Sequence, residues 1–289
     1  MHIARKRFGQ NFLTDGSVVA RIVDAIAPQR DDRIVEIGPG LGALTGTLLE
    51  CVDHLHAIEI DRDLVARLAH TFPREKFTLH EGDALTFEFS SLGSRLRIVG
   101  NLPYNISTPL LFHLAAQASF IRDIHVMLQR EVVTRMTAAP GSTDYGRLSV
   151  MLQYRFDIER LMTVPPGSFQ PAPKVESAVA RLTPFAVKPH TANDEILFRQ
   201  VVAAAFSQRR KMLRNTLSDY LLLEDFDALA VAPTARAETL SVGDFVRIAD
   251  HVAMYKKNRQ DAKDAKDAKK DNSDNRGGAE TQRKRREEQ

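Results

Sequence analysis

Four consecutive residues, Asn101-Leu102-Pro103-Tyr104, carry the most specific chemistry in the chain. An amide side chain, a backbone carbonyl held rigid by proline and an aromatic ring together suit a substrate amine conjugated to an aromatic system. Such a nitrogen is weakly nucleophilic because its lone pair is delocalised. The Asn101 side-chain oxygen and the Leu102 carbonyl can accept both amine hydrogens, which favours localising the lone pair toward an electrophilic methyl group. Tyr104 can stack on a base swung out of its helix. Asn101 is uncharged and cannot act as a strong base, so its part is positioning and electrostatics. Hydride transfer has no use for this tetrapeptide.

Three features precede it in order. VEIGPGLGALT sets Gly38, Gly40 and Gly42 between an apolar run and a helical pattern, where glycine lets the backbone turn sharply and lie against a ligand. Gly38, Gly40 and Ala43 also satisfy the G-x-G-x-x-A dinucleotide pattern, so the turn alone does not name its cofactor. Glu59 ends the next apolar run, 21 residues after Gly38, where a carboxylate can accept hydrogen bonds from both ribose hydroxyls. NAD and S-adenosylmethionine satisfy it equally. GDAL puts Asp83 at the end of a third run, either to accept from an adenine amino group or as an exposed strand-end acid.

Strands must carry these residues to one edge. RIVEI, HLHAIEI, FTLHEGDA, LRIVGNLPY and IHVMLQ alternate with helical patterns, which implies a parallel sheet wound on both faces. After Ala139 the turn-rich PGSTDYG leads into YRFDIERLMTV and SAVARLTPF, which read as antiparallel strands extending that sheet around VPPGSFQPAPKV. From about His190 strand character ends, and DEILFRQVVAAAF, QRRKMLRNTLSDYL and SVGDFVRIADHVAMY carry apolar residues at helical spacing. The division expected is a catalytic domain over 1–188, a helical domain over 189–256, and a charged tail over 257–289 whose composition predicts disorder.

The chain's 289 residues, 43% of them hydrophobic, suffice for one large domain and a small one. The single cysteine, Cys51, excludes a disulfide framework and reads as a small apolar residue ending a helix. Histidines are scattered without HExxH spacing, so no metal is expected, and no GxSxG elbow suggests a serine nucleophile. The basic N-terminus lacks the apolar stretch of a secretory signal, and no run approaches the roughly 20 apolar residues of a membrane span. A cytoplasmic monomer is expected.

Net charge is +3, and the tail from Lys257, with 11 basic and 8 acidic residues, accounts for all of it. Nucleic-acid contact therefore depends on clustering. Arg209, Arg210, Lys211 and Arg214 would cover roughly a 200° arc of the predicted helix, a broad basic face for phosphates. Arg5, Lys6 and Arg7 form a second basic group. Lys284, Arg285 and Arg286 form a third, beside Glu287 and Glu288.

QNFL (Gln10 to Leu13), EIGPGLGALT, Glu59, GDAL, NLPY, VPPGSFQPAPKVESAVARL and AFSQRRKMLRN, in one order across essentially residues 1 to 255, resemble the bacterial small-subunit ribosomal RNA adenine dimethyltransferases, the kasugamycin-sensitivity methylases. NLPY separates that family from the D-P-P-Y and N-P-P-Y versions of DNA and protein methylases. The resemblance implies an α/β fold, a Rossmann-like class I methyltransferase sheet with a small C-terminal all-helical domain. It implies S-adenosylmethionine as cofactor, held by Asn11, Leu13, Gly38, Glu59, Asp83 and Asn101, with Gly40 in the same turn. It further implies dimethylation of two adjacent adenines near the 3′ end of 16S rRNA in the small ribosomal subunit. Phe169 falls where the family's second aromatic wall would face Tyr104, although the residues alone leave it equally a core anchor. The resemblance extends to ribosome assembly, so an assembly protein acting by contact is the competing class, while an NAD oxidoreductase survives only on the glycine turn. The tail beyond Tyr255 is longer and more charged than the family leads one to expect.

Overall fold

The computed structural model describes residues 10–255. The Arg5, Lys6 and Arg7 group and the charged tail with Lys284, Arg285 and Arg286 lie outside the described residues. Internal contacts divide the chain into two units after Pro189.

In the first unit the apolar runs form β1 (Phe12–Leu13), β2 (Ile34–Ile37), β3 (Leu55–Glu59), β4 (Phe77–Glu81), β5 (Leu96–Asn101), β6 (Ile121–Gln129), β7 (Phe156–Val164), β8 (Phe169–Gln170) and β9 (Ser177–Pro184). Between them lie α1 (Gly16–Ile26), α2 (Ala43–Cys51), α3 (Arg62–Thr71), α4 (Ser107–Ala116), α5 (Arg130–Thr137) and α6 (Arg147–Gln153). Seven strands make one sheet in the order β4-β3-β2-β5-β6-β9-β7. The first five pair in parallel, and β9 runs antiparallel to both β6 and β7, as the sequence pattern predicts.

Strands buried on both faces read as continuous apolar runs because alternate residues feed opposite layers. Ile34 and Val99 join α1, α2 and α3 residues on one face, whereas Val35, Ile37 and Ile98 join α4, α5 and α6 on the other. Each fully buried Leu or Ile contributes about 1.5–3 kcal/mol. Local chemistry sets the helix starts. Asp15 accepts from the Ser17 and Val18 amides at 3.0 and 3.3 Å, and Asp61 accepts from Asp63 N at 3.2 Å.

At the opposite edge of the sheet from the glycine turn, Arg97 in β5 is buried among acids. Its Nε donates to both oxygens of Asp123 at 3.0 and 3.1 Å, and its Nη1 donates to Asp32 at 2.6 Å. Nη2 donates to the Ile26 carbonyl at 2.6 Å, satisfying the C-terminus of α1. Burial works against ionisation of Asp123, but the His125 ring, with Nδ1 3.4 Å away, and the hydrogen bonds from Arg97 hold its carboxyl below the usual carboxylate range.

The second unit contains α7 (Glu195–Ala205), α8 (Leu213–Thr216), α9 (Leu223–Ala228) and a helix over 242–255, which we call α10. Phe198, Val202, Leu213, Phe226, Phe245 and Ile248 fill its core. The continuous helix expected over QRRKMLRNTLSDYL does not form. Backbone N–H groups of Leu213 and Arg214 donate to the carbonyls of Ala235 and Pro233 at 2.8 and 3.1 Å, instead of to carbonyls one helical turn back. Met212 is accordingly extended, at φ −72° and ψ 152°, and only a single helical turn follows.

Replacing Arg97 by Met should cost about 3–5 kcal/mol at neutral pH, because Asp123 loses the guanidinium hydrogen-bonded to both its oxygens and is left a buried charge, while Asp32 keeps its bond from Arg122 Nη1 at 2.7 Å. As pH falls and the Asp123 carboxylate takes up a proton, the penalty should shrink. Denaturant unfolding near pH 7 and near pH 4.5 checks this, and an equal loss at both would refute the charge argument.

Candidate active site

From β2 the chain crosses to β3 and β4 on one side, while β5 leads to β6 on the other. The carboxyl ends of β2 and β5 therefore diverge, and a crevice opens there. One glycine governs how closely they approach. A Cβ on Gly100 would overlap the Ile37 carbonyl oxygen, so only glycine brings the end of β5 against the end of β2. Asn101 and Gly38 thereby become neighbours, and a Cβ on Gly38 would lie 3.9 Å from the Asn101 carbonyl oxygen. Gly38 and Gly40 have φ of 67° and 59°, a left-handed backbone that side chains rarely adopt.

A cavity of about 210 Å³ fills this crevice. It is lined by Asn11, Leu13, Gly38, Gly40, Glu59, Asp83, Asn101, Leu102, Pro103 and Tyr104, together with Glu36, Ile60 and Leu85. Every cofactor or catalytic candidate read from the sequence except Phe169 is thus on one surface.

Three acids converge on it. Glu59 Oε1 accepts from the amides of Ile60 and Asp61 at 3.0 and 2.9 Å, and Oε2 from Gly40 N at 3.4 Å. Burial pushes its pKa up, against these backbone bonds. Asp83 Oδ1 accepts from Leu85 N at 2.9 Å, a local turn that fixes the carboxyl at the rim. Glu36, which sequence reasoning missed, is 1% exposed, and Thr45 Oγ1 donates to it at 2.6 Å. Burial, opposed by the Thr45 bond and assisted by the nearby Glu59 charge, pushes its pKa up to about 7. A charged residue inside the otherwise apolar strand IVEI was the signal that could have found it.

The Asn-Leu-Pro-Tyr corner is held from several directions. Asn101 Nδ2 donates to the Asn11 carbonyl at 2.9 Å, which settles the amide's orientation and leaves its oxygen as the acceptor. Leu102 N donates to Met127 O at 3.1 Å. Ser107 Oγ donates to the Tyr104 carbonyl at 3.0 Å, and the Tyr104 hydroxyl lies 2.6 Å from Ser177 Oγ. Burial raises the Tyr104 pKa, so the phenol stays neutral.

The segment bearing Asn11 is itself clamped. β1 pairs antiparallel with β8, setting Phe12 opposite Gln170 and Leu13 opposite Phe169. Phe169 is 3% exposed in the core with Phe12, Leu13 and Val179, and it is not among the residues lining the cavity. Its side chain is drawn to the β1 contact, where burial of a ring outweighs exposure at the crevice. The four basic candidates lie elsewhere, in the second unit. Arg209, Arg210 and Lys211 are exposed on the turn after α7, and Arg214 is exposed on α8. Arg209 Nε lies 3.7 Å from Glu238 Oε2. No described residues form a group of three or more His, Cys, Asp or Glu placed to hold a metal ion.

A sheet in which an antiparallel strand is inserted next to the last parallel one, with its ligand crevice beside a glycine turn after β2, is that of class I methyltransferases. Solved structures share the fold: a dimethyladenosine transferase from Plasmodium falciparum superposes with a TM-score of 0.70 at 23% identity, covering 82% of this chain and 95% of that one. The 23S rRNA methyltransferase ErmE gives 0.65 at 24% identity, covering 84% and 100%. The sequence model described as Ribosomal RNA adenine dimethylase matches residues 1–254, and the chain belongs to that family. Relatives named Ribosomal RNA small subunit methyltransferase A are 59% identical in Aromatoleum aromaticum, over 87% of this chain and 95% of that protein, and 61% identical in Thiobacillus denitrificans, over 88% and 99%.

Glu36 gives this cavity a pH dependence of definite sign. Its carboxyl titrates near 7 in the folded chain against 4.5 ordinarily. The folded state therefore holds the proton more tightly, and stability falls as pH rises through that window, by as much as roughly 3 kcal/mol. Glu36→Gln should flatten the loss of stability between about pH 5 and about pH 8 in ligand-free protein, and identical profiles for both proteins would dismiss the assignment.

Proposed function

We propose that this chain transfers methyl groups from S-adenosylmethionine to the exocyclic amines of two adjacent adenines near the 3′ end of 16S rRNA in the small ribosomal subunit. The observation that carries the reading is the Asn101 amide, pinned by the Asn11 carbonyl so that its oxygen is the acceptor beside the glycine turn. The cavity's chemistry suits that cofactor. Glu59 can accept from the ribose hydroxyls, Asp83 from the adenine amine, and the buried Glu36 answers a cationic ligand by ionising. Gly38 and Gly40 leave no side chain between backbone and ligand, and Leu13 and Ile60 give apolar walls.

When bound, the cofactor supplies an electrophilic methyl on a sulfonium. The chain's part is to present the amine. The Asn101 oxygen and the Leu102 carbonyl accept its two hydrogens, Pro103 keeps that carbonyl from turning, and Tyr104 stacks on the flipped base. A neutral phenol and an amide take no proton, so the proton displaced by methylation leaves to water. Phe169, the family's second wall, would face the base only if its packing on Phe12 and Leu13 opens as RNA enters. The exposed Arg209, Arg210, Lys211 and Arg214 contact phosphates. No helix among the described residues is long and apolar enough to cross a membrane, and we propose a monomer working in the cytoplasm.

Asn101→Ala should lower transfer of labelled methyl to unmethylated small subunits about 100-fold or more, with dimethyladenosine lost from the nucleoside digest. Undiminished transfer would sink the mechanism. Converting all four basic residues to Ala should weaken RNA binding and reduce the slope of log K against log salt by about 3, with affinity for the cofactor unchanged. An unaltered slope would remove these residues from the RNA interface.

A further inference from the structure

We propose that Ser177 is a positioning residue for the reaction, its buried hydroxyl tethering the Tyr104 ring at the height from which a stacked base presents its amine to Asn101 and Leu102. The proposal rests on the reading of Tyr104 as the base platform given above.

Ser177 opens β9 and is fully buried. Its backbone is fixed on both sides, because it pairs with Gln129 of β6 and with Val164 of β7. A hydroxyl at such a position is unfavourable unless it is hydrogen-bonded, and alanine would fill the same place without a polar group to satisfy. The bond its side chain makes is to Tyr104 Oη, at 2.6 Å.

That single bond changes what the tyrosine can do. Free of it, the ring could swing about its Cα–Cβ bond among staggered positions. With the hydroxyl held, the ring can still turn about its own long axis, but that axis is fixed between the Tyr104 backbone and β9. The backbone end is fixed too, since Ser107 Oγ donates to the Tyr104 carbonyl at 3.0 Å. The platform is therefore anchored to α4 at its base and to the antiparallel part of the sheet at its tip. A base stacked on it inherits that position, and a displacement of about 1 Å at the amine can cost as much as 100-fold in rate. The arrangement also occupies the phenol oxygen, which leaves the ring face as the part of Tyr104 offered to substrate. Burial keeps the phenol protonated, so the tether persists across the neutral range.

The test compares Ser177→Ala, Tyr104→Phe, their double variant and Tyr104→Ala in methyl transfer to unmethylated small subunits. Thermal unfolding and cofactor affinity are measured on each. Ser177→Ala and Tyr104→Phe should each lower kcat about tenfold with KM for S-adenosylmethionine unchanged, and the double variant should also lose about tenfold, because both remove one bond. A merely structural serine would instead give multiplicative losses. Wild-type kcat in either single variant, or a roughly hundredfold loss in the double, overturns the tether. Should Ser177→Ala fail to fold, Tyr104→Phe decides alone, since it deletes the other half of the bond at no cost in packing. Wild-type transfer by Tyr104→Ala would overturn the platform reading itself, an outcome distinct from failure of the tether.

Discussion

The approach of β5 to β2 at Gly100 is the constraint from which the rest of the site follows. Strands in a parallel sheet diverge once their ladder ends, and this ladder's last pair sets Glu36 opposite Val99. Beyond it, Gly100 lies against the Ile37 carbonyl where no side chain fits. The glycine turn after β2 and the Asn-Leu-Pro-Tyr corner after β5 consequently share one wall of the crevice. The turn and the corner are thus brought together by the geometry of the sheet itself.

Charge is distributed along the sheet to match. At the edge away from the crevice, Arg97 bridges Asp123 and Asp32, Arg122 adds a second cation on Asp32, and Arg97 closes the end of α1. At the crevice, Glu36 and Glu59 are buried without a cationic partner in their hydrogen bonds, and burial holds both carboxyls above the ordinary range. The first arrangement is self-contained and stabilises the fold at neutral pH. The second has no such partner, so burial disfavours ionising either carboxyl in the ligand-free protein.

Much of this was legible in the sequence because it is local. Apolar runs gave the strands, glycine spacing gave the turn after β2, and acids at strand ends gave Glu59 and Asp83. What the sequence hid depends on partners distant along the chain. Gly100 reads as an ordinary glycine until Ile37 is placed beside it, and Ser177 stands 73 positions from Tyr104. Glu36 is hidden because an acid in a buried strand contradicts the pattern that identifies the strand. α5 and α6, at 8 and 7 residues, are too short for periodicity to show. The break before α8 arises because the carbonyls of Ala235 and Pro233 capture donors that a helix would have used, a competition no local pattern encodes.

In the proposed mechanism a corner that lacks a strong base acts through placement, and placement is worth what its supports are worth. The Asn101 amide is held by the carbonyl of Asn11, next to β1, which is bound to β8. The Leu102 amide is held by β6, and the Tyr104 hydroxyl by β9. The Pro-rich stretch joining β8 to β9 therefore has one end supporting the acceptor amide through β1 and the other supporting the aromatic ring. Changes within that stretch would disturb amide and ring together although neither lies in it. That is the physical reason the stretch from Phe169 to Ser177 belongs structurally with the Asn-Leu-Pro-Tyr corner, even though Phe169 itself is packed into the core.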